Sequence, residues 1–422
     1  MYTEYDYQNE PVVDIVNKML IDAAKKRASD IHMDPTPDVL NVRIRVDGEL
    51  ILYAKVPASV KKNLVTRVKI ISGMNITESR VPQDGAIKMT VEGKDLDFRV
   101  STLPIVYGEK VVIRLLDYSA TMASLDSLGF AEENLAKLKE AMNKPNGIIL
   151  VTGATGSGKS TTVYSVLQSL NRIERNIITV EDPVEMKIAG INQVQTMSEI
   201  GLTFASALRS ILRQDPDIIM IGEIRDNETA RIAVRASITG HLVLSTIHTN
   251  NSLTTIERLV DMDVERYLLG SALEAIVSQR LCKKLCPKCR RPRKTTDYEK
   301  RVMKEALKMD IENIYEPVGC DECYKGYKGR IALQEVLVLN QDIRDAIVNN
   351  ATKEELRTLI YQNGHTLKLL DDGLIKVING LTSFEEVLRV IDIKDDLGEG
   401  ESDLKNALIG KKVKEEPLVD TL

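Results

Sequence analysis

Apolar residues recur along this chain with two different periods, and the period changes with position. Between residues 12 and 28, Val12, Val16, Met19, Leu20 and Ala23 fall at helical spacing, which predicts an amphipathic helix. Alternation follows: Val42, Ile44 and Val46 interleave with Arg43, Arg45 and Asp47, one face of a strand apolar and the other polar. Asp47-Gly48 then supplies the residue pair that a two-residue hairpin demands, with residues 50–55 as the return strand. A second helix is predicted over 57–73, where Val60, Leu64, Val68 and Ile71 line up. Alternation returns at 86–91 and 96–100 around the Glu92-Gly93 turn, and again at 110–116. Residues 11–118 read as one small α+β domain, with a polar tail at 1–10 before it and a linker at 119–133 after it.

Beyond the linker the pattern changes. A helix at about 134–143 leads into short runs that are apolar on both faces, at 147–152, 176–181, 217–222 and 241–246, each followed by a helical stretch. Strands without alternation belong to parallel sheets covered by helices on both sides, so residues 134–280 read as a doubly wound α/β domain. A separate subdomain is expected at 281–335. After Cys323 the chain reads as helical, over 341–349, 353–363, 366–378 and 383–390, which makes 336–392 a helical region. From Lys394 onward it is charged and free of aromatic residues, and 393–422 is expected to be a disordered tail.

Composition narrows the class. A length of 422 residues exceeds one ordinary domain, and 43% hydrophobic residues suffice for several cores. A net charge of -5 does not suit a protein that coats nucleic acid. No apolar run reaches the roughly 18 residues of a membrane span, and the first ten residues are polar and acidic, unlike a signal peptide. A cytoplasmic location is expected. Five cysteines in such a compartment point to a metal or to free thiols.

The strongest chemical signal is the run Gly153, Ala154, Thr155, Gly156, Ser157, Gly158, Lys159 and Ser160, followed by Thr161. It lies between a predicted buried strand and a predicted helix with Val163, Val166, Leu167 and Leu170 on one face. Strand, glycine loop, Lys-Ser and helix form a nucleoside triphosphate site. The glycines let backbone N–H groups approach the phosphates, Lys159 bridges the outer phosphates, and the Ser160 hydroxyl ligates Mg2+. Past the next strand, Glu181, Asp182 and Glu185 lie at the sheet edge that holds ligands, where a carboxylate can orient or deprotonate water; a solvated acidic turn reads equally well there. After the strand at 217–222 comes Glu223, with Gly222 where an aspartate is usual, so Glu223 must take the magnesium-side or water-side role. His248 and Asn250 follow the strand at 241–246, where a side chain can sense the γ-phosphate by hydrogen bonding. His32 and His241 read as structural or solvated.

Four cysteines form two C-x-x-C knuckles, Cys286 with Cys289 and Cys320 with Cys323. Two thiolates from each knuckle complete a closed, structural Zn2+ site. Cys282 reads as a small apolar residue. The basic residues nearby (Lys283, Lys284, Lys288, Arg290, Arg291, Arg293 and Lys294) read as offsetting the thiolate charge, with a DNA-binding zinc ribbon as the rival.

Taken together, the series at 153–160, 181–185, 221–226 and 245–250 resembles the type II secretion and type IV pilus assembly ATPase family, in order from about residue 12 to 392. The resemblance implies a RecA-like ATPase core after a sensor-like domain, ATP as the nucleotide, and a homo-hexamer. It also implies mechanical work on an inner-membrane platform protein, from the cytoplasmic face and without direct nucleic-acid binding. By position, Glu181 and Glu185 match the family's aspartate box, Glu223 its acidic motor residue and His248 its histidine box. Arg99 and Arg114, otherwise two unremarked strand arginines, match those that reach the γ-phosphate from the small domain. The paired knuckles favour assembly or secretion motors over retraction motors, and the early start of the sensor-like domain is expected of a short form lacking a further N-terminal domain. The alternatives are a competence, DNA-uptake or conjugation motor, a zinc-ribbon switch, and a structural ring.

Overall fold

The computed structural model describes residues 2–116, 124–363 and 366–391. The chain forms two compact units, Met1–Ala120 and Thr121–Leu422. The first contains, in order, α1 (Val12–Lys25), β1 (Ala28–Pro35), β2 (Val39–Val46), β3 (Glu49–Pro57), α2 (Ala58–Ile71), β4 (Gln83–Val91), β5 (Lys94–Ile105) and β6 (Gly108–Leu116). Its strands form one antiparallel sheet in the order β3-β2-β1-β6-β5-β4. Helix α1 buries Ile15, Val16, Met19, Leu20 and Ala23, and α2 buries Leu64, Val65 and Val68. In β2, Leu40, Val42, Ile44 and Val46 point inward, as period-2 patterning requires. Each such side chain contributes roughly 1.5–3 kcal/mol when fully removed from water. Asp47 and Gly48 both take positive φ, 49° and 92°, and so do Glu92 and Gly93, 51° and 78°. That is the backbone of a two-residue hairpin turn.

Two differences from the sequence reading arise here. Helix α1 stops three residues early because Arg27 turns the backbone to φ 54°. The residues after it form β1, a central strand whose polar Asp30, His32 and Asp34 disguise an inward face of Ile31 and Met33 beside buried Asp30.

The second unit begins with a 3-10 turn at Leu125–Leu128 and α3 (Glu132–Met142). It continues through β7 (Gly147–Thr152), α4 (Lys159–Leu170), β8 (Ile177–Glu181), β9 (Asn192–Gln195), α5 (Phe204–Ile211), β10 (Ile218–Ile221), α6 (Asn227–Ile238) and β11 (Leu242–Ile247). Then come α7 (Ser252–Asp261), α8 (Arg266–Ala272), β12 (Leu273–Leu285), β13 (Arg291–Lys294), α9 (Asp297–Leu307), β14 (Asn313–Glu316) and β15 (Tyr327–Val338). The last described elements are α10 (Gln341–Val348), α11 (Lys353–Arg357), α12 (Leu369–Ile378) and α13 (Phe384–Val390). The main sheet runs β15-β12-β7-β11-β10-β8-β9, parallel throughout except for the β12–β15 pair. Every residue of β7, β8, β10 and β11 is buried, which is why these strands read as unbroken apolar runs.

Here the structure corrects the helical reading after Cys323: β15 is a 12-residue strand of the main sheet. Its Gln334 and Glu335 interrupt the apolar pattern yet are buried, Gln334 N donating to Asp372 and Glu335 accepting from Ser252 N and Tyr361. Strand β12 runs through residues 280 and 281, where the sequence pattern changes. Residues 353–363 are α-helical only to Arg357 and continue as a π turn, Thr358–Asn363. Cys282, Val302 and Ile314 share one hydrophobic core with Leu370, Leu374, Phe384 and Val387, joining the cysteine-bearing segment to α12 and α13. The expected tail at 393–422 and residues 119–123 of the expected 119–133 linker lie outside the described residues, while the rest of that linker holds the 3-10 turn and the first residues of α3.

Candidate active site and metal centre

The phosphate loop leaves β7 at Thr152 and enters α4 at Lys159. Its glycines carry φ values that other residues avoid: 152° at Gly153, 78° at Gly156 and 89° at Gly158. Space matters as much as φ. A Cβ at Gly153 would overlap the Gln279 carbonyl, and one at Gly158 would lie 2.7 Å from Gln279 Nε2. Gln279 itself donates from Nε2 to Ser157 O at 2.7 Å and accepts from Thr162 Oγ1 at 2.8 Å. The loop is therefore fitted around a side chain from β12. Lys159 is buried, and its ammonium donates to Gly153 O at 2.7 Å and Ala154 O at 3.1 Å. Burial pulls its pKa down to about 8, with Glu223 opposing and Arg280 assisting.

A proton-linkage prediction follows from that value. A phosphate held by Lys159 would favour the ammonium form and raise its pKa, so affinity is expected to be full well below pH 8 and to weaken as pH rises through it. The Kd for ATP is expected to rise by up to about tenfold per pH unit once pH exceeds the free-state pKa. Equilibrium titration between pH 7 and 10 checks this; a flat profile would contradict it.

Glu181 ends β8 and is buried, with both carboxylate oxygens engaged: Thr179 Oγ1 donates to Oε1 at 2.6 Å, Gln193 Nε2 to Oε1 at 3.1 Å, and Tyr164 OH to Oε2. Glu185 is half-buried four residues on, and its backbone N–H donates to Tyr164 OH at 3.2 Å. Gly222 follows β10, its N–H donating to Val180 O at 2.7 Å. A Cβ at Gly222 would sit 3.3 Å from both Glu181 Cα and Val180 O. A side chain there would require the β8 backbone to give by a few tenths of an ångström, and the acid stands one residue later. Glu223 pairs with Arg225 and lies 3.5 Å from His248 Nε2. Burial, together with nearby Lys159, holds the His248 pKa below the ordinary histidine value, so the ring is neutral at neutral pH.

Thr155, Gly156, Ser157, Gly158, Lys159, Ser160 and Thr161 line one cavity of about 420 Å³ together with Glu181, Glu185, Glu223 and His248. Gly153 and Ala154 contribute carbonyls to Lys159. Arg99 and Arg114 belong to the first unit, directly opposite each other on β5 and β6, with Arg114 Nε donating to Asp30 Oδ1 at 3.0 Å. Sequence reasoning missed Tyr164, Gln279, Leu281 and Arg330, the last two lining the same cavity from β12 and β15. Tyr164 and Gln279 belong to no motif, and Leu281 and Arg330 fall beyond residue 280, outside the expected ATPase core.

The four knuckle cysteines come together with all Sγ atoms within 4.8 Å of one another. Cys286–Cys320, Cys289–Cys323 and Cys320–Cys323 sulfurs are 3.9, 3.6 and 3.6 Å apart. A tetrahedral Zn2+ with Zn–S bonds of about 2.3 Å has sulfur–sulfur edges of about 3.8 Å. The donor set therefore fits that ion. Backbone N–H groups of Gly319 and Cys320 donate to the sulfurs of Cys289 and Cys323 at 3.3 Å each, stabilising thiolate charge. Several neighbouring cations have partners within the protein: Lys288 pairs with Glu322, Lys283 with Glu386, Arg293 with Glu299, and Arg290 stacks 4.9 Å over Tyr315. Cys282 stays apart, buried, its thiol pushed up to about 11 by burial.

A parallel sheet carrying a phosphate loop, acids and a histidine at its carboxyl edge defines a RecA-like P-loop ATPase. The family model described as type II/IV secretion system protein matches residues 6–389. Type II secretion system protein E of Aeromonas hydrophila is 47% identical over 381 residues, covering 90% of this chain and 75% of the relative. The type IV pilus assembly ATPase PilB of Myxococcus xanthus is 48% identical over 383 residues, covering 90% and 67%. Among solved structures, the pilus retraction motor PilT with bound ADP aligns with a TM-score of 0.61 at 28% identity, over 90% of this chain and 97% of its own. The Legionella pneumophila ATPase DotB shares the fold, with a TM-score of 0.69 at 23% identity over 90% and 96%. The chain belongs to the type II/IV secretion system protein family and is an ATPase of that family.

Proposed function

We propose that the protein hydrolyses ATP as a homo-hexamer and converts it into mechanical work for type IV pilus assembly or type II protein secretion. It would act at the cytoplasmic face of the inner membrane, on a platform protein embedded there. The observation that carries this reading is the meeting of Lys159, Glu185, Glu223 and His248 around one cavity at the end of the sheet. Relatives named for pilus assembly and for type II secretion, each matching 90% of the chain, support the biological setting. Among the described residues no helix is long and apolar enough to cross a membrane, which suits attachment through a partner.

In this reading the loop N–H groups and Lys159 hold the β- and γ-phosphates, and Ser160 and Glu223 are the residues that would hold Mg2+, whose charge would offset that of the phosphates. Glu185 orients the attacking water and accepts its proton, and neutral His248 hydrogen-bonds the γ-phosphate. Cys286, Cys289, Cys320 and Cys323 hold a structural Zn2+. Residues 11–118 serve as the sensor-like domain, and its Arg99 and Arg114 stabilise phosphate charge in the transition state.

The test is mass and turnover together. With Mg–ATP, six copies of the 47.1 kDa chain should appear as one species of about 280 kDa. Arg99→Ala and Arg114→Ala are each expected to lower kcat by about a hundredfold while leaving the Kd for ATP within a few fold. Full turnover by a monomer, or by either arginine variant, would exclude this mechanism.

A further inference from the structure

Tyr164 has no place in the scheme above, yet it touches both ends of the acidic segment. Its ring is buried on α4, five residues after Lys159. Its hydroxyl donates to Glu181 Oε2 and accepts the backbone N–H of Glu185 at 3.2 Å. We propose that Tyr164 is a positioning residue for hydrolysis, fixing the segment that presents Glu185 to the phosphate end of the cavity. This rests on the assignment of Glu185 as the water-side carboxylate.

The donor and acceptor arithmetic supports the role. A phenol has one O–H to give and lone pairs to receive with, and here the Glu181 carboxylate takes the proton while the Glu185 amide fills a lone pair. Glu181 has no oxygen left over, since Thr179 and Gln193 occupy Oε1. A buried carboxylate held by three neutral donors is an anchor rather than a base. Glu181 therefore holds the Tyr164 hydroxyl, and that hydroxyl holds the Glu185 backbone. Because α4 begins at Lys159, the helix that senses the phosphates also carries the group that aims the carboxylate. Binding and orientation of water are thereby tied through about 7.5 Å of one helix.

Tyr164→Phe keeps the ring but strips the hydroxyl, leaving every phosphate contact in place. In steady-state ATPase assays of the full chain with Mg–ATP, kcat should fall by about tenfold with KM within about twofold. If Tyr164 acts through Glu185, adding Tyr164→Phe to Glu185→Gln should cost less than about twofold more, because coupled residues are not additive. Glu181→Gln weakens the same hydrogen bond from its other side and should give the same split of kcat from KM. A kcat for Tyr164→Phe within twofold of the unaltered protein overturns the inference, as does a loss that multiplies fully with Glu185→Gln. So does a loss that follows only the folded fraction in a parallel thermal melt. Were Glu185→Gln itself fully active, the underlying assignment would fall too; an impaired Glu185→Gln beside an unimpaired Tyr164→Phe would remove the tyrosine alone.

Discussion

Replacing Lys159 by alanine is expected to reduce ATP turnover by about a thousandfold, and Glu223→Gln by about a hundredfold or more. The lysine is the larger loss because it is buried at the helix start and held by two loop carbonyls. Truncation removes the ammonium and also leaves Gly153 O and Ala154 O without their donor. The loop then loses both its charge and part of its shape. Glu223→Gln keeps the shape, since an amide still reaches Arg225 and His248 less strongly, and removes one charge from the cavity. The two should therefore separate in binding: Lys159→Ala weakens ATP itself, whereas Glu223→Gln binds ATP and stalls. Titration with a fluorescent ATP analogue beside a phosphate-release assay checks both. Undiminished phosphate release by Lys159→Ala would remove the basis for the active-site assignment.

The second large effect concerns the cysteine cluster. Protein purified from zinc-supplemented medium is expected to carry one Zn2+ per chain, and Cys320→Ser to lower the melting temperature by about 5 °C. Structural zinc sites bind with apparent free energies of about 10–16 kcal/mol in small peptides. Most of that does not register here, because Val302, Met303, Ile314 and Phe384 already bury a core beside the knuckles. A residual loss of about 3 kcal/mol gives the stated shift in a domain of this size. Metal analysis and a thermal melt decide it: no bound metal and an unchanged melt would mean four free thiols. Lys159-dependent turnover in the zinc-depleted protein then separates a structural ion from one that the chemistry needs.

How much of this was readable in the chain depended on sequence distance. The phosphate loop is contiguous, so its spacing alone announced it, and Glu181, Glu223 and His248 each follow an apolar run that ends at one edge of the sheet. Gln279 was invisible because its partner Ser157 lies 122 residues away, and a lone glutamine carries no pattern. Tyr164 read as one more helix residue, its meaning fixed only when β8 delivered Glu181 to its hydroxyl. Strand β15 was hidden by Gln334 and Glu335; the Glu335 carboxylate is tolerable in the interior because Ser252 N and Tyr361, both distant in sequence, donate to it. In the first unit, hairpin turns announced themselves through Asp47-Gly48 and Glu92-Gly93. Central β1 did not, since three polar residues alternate along it.

Strand β12 links two features that the sequence kept separate. It is paired with β15 from Ala275 to Leu285 and with β7 as far as Ser278. At Gln279 it grips the phosphate loop, and one residue past its end stands Cys286. Seven residues of extended chain span about 23 Å, so the phosphate loop at Gln279 and the first knuckle cysteine are joined by a single rod of backbone. Tension applied at the cysteine module would travel along that rod to the carbonyl against which Gly153 packs. The rate of ATP turnover would then register load directly, within a single chain, as a change in how tightly the loop is drawn.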